Sequence, residues 1–165
     1  MDGVTCNFSK AASEKIGMNI ESAAFSNMAQ GPRNKKYAEA CDTVEFWTAL
    51  EPMPDFNTYW GYIKYWNPSI LSAYPMWSKE ARSVAVIGKK NWLRAHVMIP
   101  SDRIHIVERK DKQKFAINSD TKEPNILIDD KQQNIDEWTR KGGIGIFHKD
   151  AKTTIKRLKE LGYKK

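Results

Sequence analysis

The sequence predicts an α/β chain built on a parallel sheet. Two observations predict it. Short apolar runs rich in β-branched residues (Ile104 to Val107, Ile126-Leu127-Ile128, Ile144 to Phe147) alternate through the second half with helical stretches, the pattern of strands joined by crossover helices. The run 126–128 also ends in two adjacent carboxylates, Asp129 and Asp130. In an open α/β sheet, ligands bind just past the carboxyl ends of strands.

The elements follow in chain order. Residues 1–5 form a turn. Residues 8–16 suit a short helix ended by Gly17, and Gly31-Pro32 is expected to break the polar stretch 19–33. Residues 36–50 read as one helix, with Tyr37, Ala40, Val44 and Trp47 on a single stripe. Residues 8–50 thus form a small helical insert. Glu51-Pro52-Met53-Pro54 is a rigid connector, because each proline disfavours helix at the residue before it. Asp55 is placed to cap a helix over 56–66, with Phe56, Tyr59, Ile63 and Trp66 inward.

Residues 68–73 make a strand that leads into a loop with Ser72. Residues 78–97 are mostly helical, although 84–87 also fits a strand. Residues 104–107 alternate about His105 as a strand, and the basic stretch 110–117 is a loop entering a helical turn. Residues 134–141 form a helix ended by Gly142-Gly143, 144–147 a strand, and 151–161 the final helix, stopped by Gly162.

Composition bounds the rest. The 165 residues suffice for one domain with a proper core, and 41% hydrophobic with 28% charged residues is a globular balance. No apolar run reaches the roughly 20 residues of a membrane helix. No signal peptide is visible, and Cys6 and Cys41 are too few for a disulfide framework. A reduced, cytoplasmic setting is expected. The net charge of +7 favours anionic partners such as nucleotides or nucleic acid. Much of the excess lies in Lys149, Lys152, Lys156, Arg157, Lys159, Lys164 and Lys165, which fits a solubilising face as well as a binding one.

Asp129 and Asp130 have two readings. Paired acids bind a hard cation or share a proton, since like charges that close resist joint ionisation, and magnesium suits such a pair beside a phosphate. Equally, they form an acidic turn and helix cap.

Asp2-Gly3-Val4, Ser72 at a strand end, Lys112 in a basic loop and Asp129-Asp130 together resemble the haloacid dehalogenase-like (HAD) superfamily of phosphatases. Within it the chain is most similar to the 5′(3′)-deoxyribonucleotidase-like branch, which includes phage-encoded members. Met1 to Val4, Glu51 to Pro54, Ile70-Leu71-Ser72, Arg109 to Lys112, Asn125 to Asp130, Trp138 and Gly142 to Ile146 carry the resemblance. It implies a three-layer Rossmann-like core of residues 1–7 and 51–165, with 8–50 as the helical cap.

It also implies a phosphoric monoester hydrolase. One aspartate attacks phosphorus to give an aspartyl-phosphate. A second, two residues later, acts as general acid and then base. A hydroxyl and a lysine hold the non-bridging oxygens, and magnesium offsets the repulsion between anions. Asp2 matches the acid/base and contributes to the metal site. Ser72 matches the phosphate hydroxyl, with Gly3 and Ala73 beside it, and Lys112 matches the lysine, with Lys114 as alternative. Asp129 and Asp130 match the metal ligands. Phe25, Phe46, Trp47 and Tyr37 are candidates to stack on a nucleobase or to form the cap's own core. Tyr74 and Trp77 are candidates to line the pocket, and His148 reads as structural.

The family's first motif is Asp-x-Asp-Gly-Val after an apolar strand. Here Met1 stands at x, so no residue matches the nucleophile or its strand. Without that strand its neighbours would expose backbone groups at roughly 1–3 kcal/mol each, against a total stability of about 5–15 kcal/mol. Met1 is therefore expected to be an internal methionine of a longer natural chain. The competing expectation is a pseudoenzyme that still binds phosphate and magnesium.

The leading function is a magnesium-dependent phosphatase of small phosphomonoesters, with nucleoside 5′-monophosphates as the substrate class. This chain alone is expected to be inactive. A non-catalytic basic module for phosphorylated ligands or nucleic acid is the alternative, and a phosphatase of nucleic-acid termini is a third possibility.

Overall fold

The computed structural model describes residues 1–164; Lys165, counted above with the basic tail, lies outside them. The chain is mixed α/β with short parallel strands. Strands β1 (Ile70–Ala73) and β2 (Ile104–Val107) pair in parallel, with Ser72 opposite Ile106. Strands β3 (Ile126–Asp129) and β4 (Ile144–Phe147) do the same, with Asp129 opposite Phe147. Parallel pairs need crossovers. The helix Lys79–His96 lies between β1 and β2, and Gln132–Arg140 lies between β3 and β4. Among the described residues the two pairs are separate two-stranded sheets, and β1 does not pair with β3.

The chain start forms a tight turn. The Met1 carbonyl accepts from the amides of Val4, Thr5 and Cys6. Cys6 pairs with Pro52, and Met53 N donates to Thr5 O, so the turn is pinned to the proline connector. Met1, Val4 and Cys6 join the same apolar core as Ile70 and Ile146.

Residues 8–50 are helical. Helix α1 (Phe8–Ile16) is capped by Asn7 and closes at Gly17, whose φ of 71° is the left-handed cap that glycine adopts freely. Helix α2 (Ala23–Ser26) is one short turn capped by Ser22. The expected single helix over 36–50 is instead two, α3 (Gln30–Cys41) and α4 (Val44–Thr48). Gly31-Pro32 opens α3 instead of breaking the chain, since proline in a first turn sacrifices no intrahelical bond. The helix stops before Asp42, whose carboxylate accepts from Trp77 Nε1 (2.6 Å) and Ser78 Oγ (2.5 Å). Thr43 then restarts it by accepting from Phe46 N.

Helix α5 (Phe56–Ile63) ends earlier than expected and passes into a 3₁₀ turn, Lys64–Trp66. Asp55 makes no side-chain cap on α5. Its carboxylate accepts from Ala151 N (2.5 Å) at the start of the last helix, α8 (Ala151–Glu160), which packs on α5. Residues 84–87 belong to α6 (Lys79–His96), which Ser78 caps by accepting from Ala81 N, so the strand alternative there does not hold. Residues Arg109–Phe115 wind as a 3₁₀ helix. Helices α7 (Gln132–Arg140) and α8 (Ala151–Glu160) complete the chain.

One apolar cluster runs from residues 8–50 into the sheet region. Ala12, Cys41, Phe46, Trp47 and Leu50 share it with Ile63, Trp92, Leu93 and Leu158. Helices α4 and α6 approach so closely that a Cβ on Gly88 would overlap the Trp47 side chain. A smaller cluster of Ala116, Leu127, Ile135 and Trp138 sits beneath β3.

Candidate functional site

Ser72 is the penultimate residue of β1 and Asp129 the last of β3, so each parallel pair delivers one polar residue near its carboxyl end. The turn at Gly3 lies between them. Its φ of 71° favours glycine, and a Cβ there would overlap the Asp130 carboxylate and force that side chain to move. Asp130 is thereby held against Gly3, the chain neighbour of Asp2.

On the β1 side the organising group is Lys89, which is fully buried. Its ammonium donates to Asp2 Oδ2 (2.5 Å), Ser72 Oγ (3.1 Å) and Ala73 O (2.6 Å). It also lies 4.8 Å from the centre of the Trp47 ring, a cation–π contact. Burial, the largest influence, pushes the Asp2 carboxyl up, but the Lys89 charge, the Met1 ammonium and the hydrogen bonds from Lys89 and Cys6 together carry the group below its ordinary value. Cys6 Sγ donates to the other Asp2 oxygen (3.5 Å), and burial beside that carboxylate raises the thiol well above the usual range.

On the β3 side Lys112 Nζ donates to Asp129 Oδ2 (2.6 Å). Asp129 Oδ1 accepts from Lys131 N (2.9 Å) and Asn134 Nδ2 (2.8 Å). Burial raises the Asp129 carboxyl, yet Lys112 and these donors bring it below its ordinary value. Asn134 Oδ1 accepts in turn from Arg109, which pairs with Glu137 at 2.9 Å. Asp130 is different. Burial raises its carboxyl, and its ion pair is with the largely exposed Lys131 at 3.4 Å.

The sequence-derived residues fall into two groups. Asp2, Ser72 and Ala73 around Lys89, and Asp129 with Lys112, form two hydrogen-bonded networks that adjoin at the first turn, where Gly3 lies against Asp130. Lys114 points outward to Asp111 (2.8 Å) and lines a surface cavity of about 470 Å³ with Lys110 and Lys141. Phe25, Phe46 and Trp47 are buried, and Trp47 stacks on Phe8 with centroids 5.2 Å apart. Tyr37 stacks on Trp77 at 4.6 Å, and Tyr74 receives the Arg82 guanidinium. Trp47 Nε1 is a buried side-chain polar atom with no hydrogen-bond partner. His148 Nδ1 bonds Thr154 Oγ1 (2.8 Å) and its ring leans on Tyr59.

Sequence reasoning missed Lys89. A signal existed, since it lies on the buried stripe of α6 that also holds Ala81, Ala85, Gly88 and Trp92. A lysine in the apolar stripe of an amphipathic helix needs a partner, because buried charges are paired.

Three carboxylates supply the hard oxygens that magnesium takes, and Asp130 is the one with the weakest local compensation. These donors fit a hard divalent cation chemically. Each of Asp2 and Asp129 already accepts from a lysine, and among the described residues no ready-made group of three metal-ligating side chains is gathered.

Comparison with protein-family models, curated proteins and solved structures returned no match to this chain.

Proposed function

We propose that these residues form the phosphoryl site of a magnesium-dependent HAD-type phosphatase acting on small phosphomonoesters, with nucleoside 5′-monophosphates as the substrate class. The finer architecture belongs to the same proposal: a three-layer Rossmann-like core with residues 8–50 as its cap. The observation that carries it is that the network of Asp2 and Ser72 adjoins that of Lys112 and Asp129 at one turn, against Asp130, near the carboxyl ends of parallel strands.

The roles follow from charge and donor capacity. Lys112 has Asp129 as its hydrogen-bond acceptor, and an ammonium carries further donors for a phosphoryl oxygen. Ser72 supplies a hydroxyl. Asp129, Asp130 and Asp2 would hold magnesium, which when bound lowers the repulsion between carboxylates and an anionic substrate. Asp2 is the proton-transfer group. No residue from 1 to 165 stands at the family's nucleophile position, so these residues alone are expected to bind ligand without turnover.

The test uses p-nitrophenyl phosphate with magnesium. One chain is residues 1–165, and the other is extended upstream by an apolar strand ending in Asp. Turnover by the extended chain alone, abolished by Asp129→Asn, is the expected result. A folded extended chain with no turnover rejects the phosphatase.

A second proposal, a non-catalytic module for phosphorylated ligands or nucleic acid, is favoured by the lysine-lined cavity at Lys110, Lys114 and Lys141. In that case affinity for DNA or RNA falls steeply with salt and ignores Asp129→Asn.

A further inference from the structure

We infer that Lys89 is a positioning residue of this site: by donating to Ser72 Oγ it turns the serine proton away from itself and presents it to a bound phosphoryl oxygen. The inference rests on the phosphoryl site proposed above, and it comes from counting protons on the two buried lysines.

An ammonium has three protons and no acceptor. The three of Lys89 are matched by Asp2 Oδ2, Ser72 Oγ and Ala73 O. Its remaining neighbour is the face of Trp47, an apolar wall with a favourable quadrupole. Lys89 therefore has no proton left for a ligand, although it lies beside the groups assigned to phosphate binding. Lys112, with Asp129 as its acceptor, has protons to spare. Both lysines are buried, yet their capacities differ, and Lys112 can touch phosphate where Lys89 cannot.

The consequence falls on Ser72. A serine hydroxyl normally rotates to donate or accept as its surroundings ask. Against Lys89 it has no choice, because its oxygen must accept from the ammonium. Its own proton then points elsewhere. Ser72 sits near the carboxyl end of β1, with Lys89 Nζ 3.1 Å from its oxygen, so the proton is presented on the side away from α6. A phosphoryl oxygen is a pure acceptor, and a hydroxyl already set as donor meets it without reorganisation. The same ammonium grips the Ala73 carbonyl, which stops the strand end from turning the serine away.

The experiment is a double-mutant cycle read as affinity for inorganic phosphate, measured by calorimetry with magnesium present. Ser72→Ala and Lys89→Met are each expected to weaken binding by about tenfold, the value of a hydrogen bond to a charged group. The double variant should be within about twofold of Ser72→Ala alone, the scatter of independent sites. Ser72→Thr keeps the hydroxyl, so Lys89→Met must remain costly in that background.

A merely structural lysine would weaken phosphate binding equally with and without the hydroxyl, and such additive losses overturn the assignment of Lys89. Should Lys89→Met strand Asp2 and fail to fold, Asp2→Asn with Lys89→Met removes both charges. The cycle is then run against Asp2→Asn with the same criteria. If the unaltered chain binds no phosphate, the phosphoryl site fails and this inference with it. Binding with additive losses removes Lys89's role alone.

Discussion

The two halves of the site solve one problem differently. At the end of β3, Asp129 and Lys112 are both buried, and the carboxylate is further held by Asn134 and the Lys131 amide. At the end of β1, Lys89 is wholly buried but its partner Asp2 keeps 31% of its side chain exposed. The first pair is closed on both sides, and the second is closed around the cation but leaves part of the anion uncovered. Closed pairs punish the loss of either partner, because the survivor is left as an uncompensated buried charge. A partly exposed carboxylate can turn to water instead.

That contrast sets the order of expected effects. Lys112→Met should lower the unfolding free energy by about 3–5 kcal/mol, the cost of breaking a buried pair, as read from urea melts. Lys89→Met should cost less, about 1–3 kcal/mol, since Asp2 can rehydrate while Ser72 and Ala73 lose a donor. Equal losses for the two would erase the distinction. Gly3→Ala should cost about 1–2 kcal/mol for its left-handed φ, plus the displacement of Asp130. Replacing Gly17 has the same φ penalty with open space around it, so the excess at Gly3 over Gly17→Ala measures the closeness of Asp130.

The smallest effects are in the pH dependence, and their signs differ. Asp2 and Asp129 have depressed carboxyls. Their contribution is complete above the ordinary aspartate value near pH 3.9 and is lost as pH falls through their lower folded values. Asp129→Asn should therefore flatten the acid limb of a stability–pH curve. Asp130 is raised. Its favourable contribution is complete below the ordinary value and is lost as pH rises through its folded one. Asp130→Asn should then leave acid stability unchanged and raise the melting temperature at neutral pH. A loss of stability at neutral pH would show that Asp130 is compensated after all.

Much of the fold was legible because its signals are local. Ser78 before a long amphipathic stretch announces α6, and Gly17 announces the end of α1. The break between α3 and α4 was not legible. It is made by Trp77 and Ser78, more than thirty residues away, drawing the Asp42 carboxylate out of the helix. Asp55 misled for the same reason, since its cap serves α8 and not the helix it precedes. At the site, Ser72, Lys112 and the acidic pair stood out as residue types at strand ends and in a basic loop. Lys89 was hidden, because a lysine within a helix usually faces solvent.

The sequence by itself determined where the strands lie and that Asp129 closes one of them, because β-branched runs and turn residues act on their near neighbours. Only the tertiary structure decided which lysine meets which carboxylate. Lys89 reaches Asp2 across 87 positions of chain and Lys112 reaches Asp129 across 17. Such pairings are chosen by how helices and strands pack, which no local pattern records.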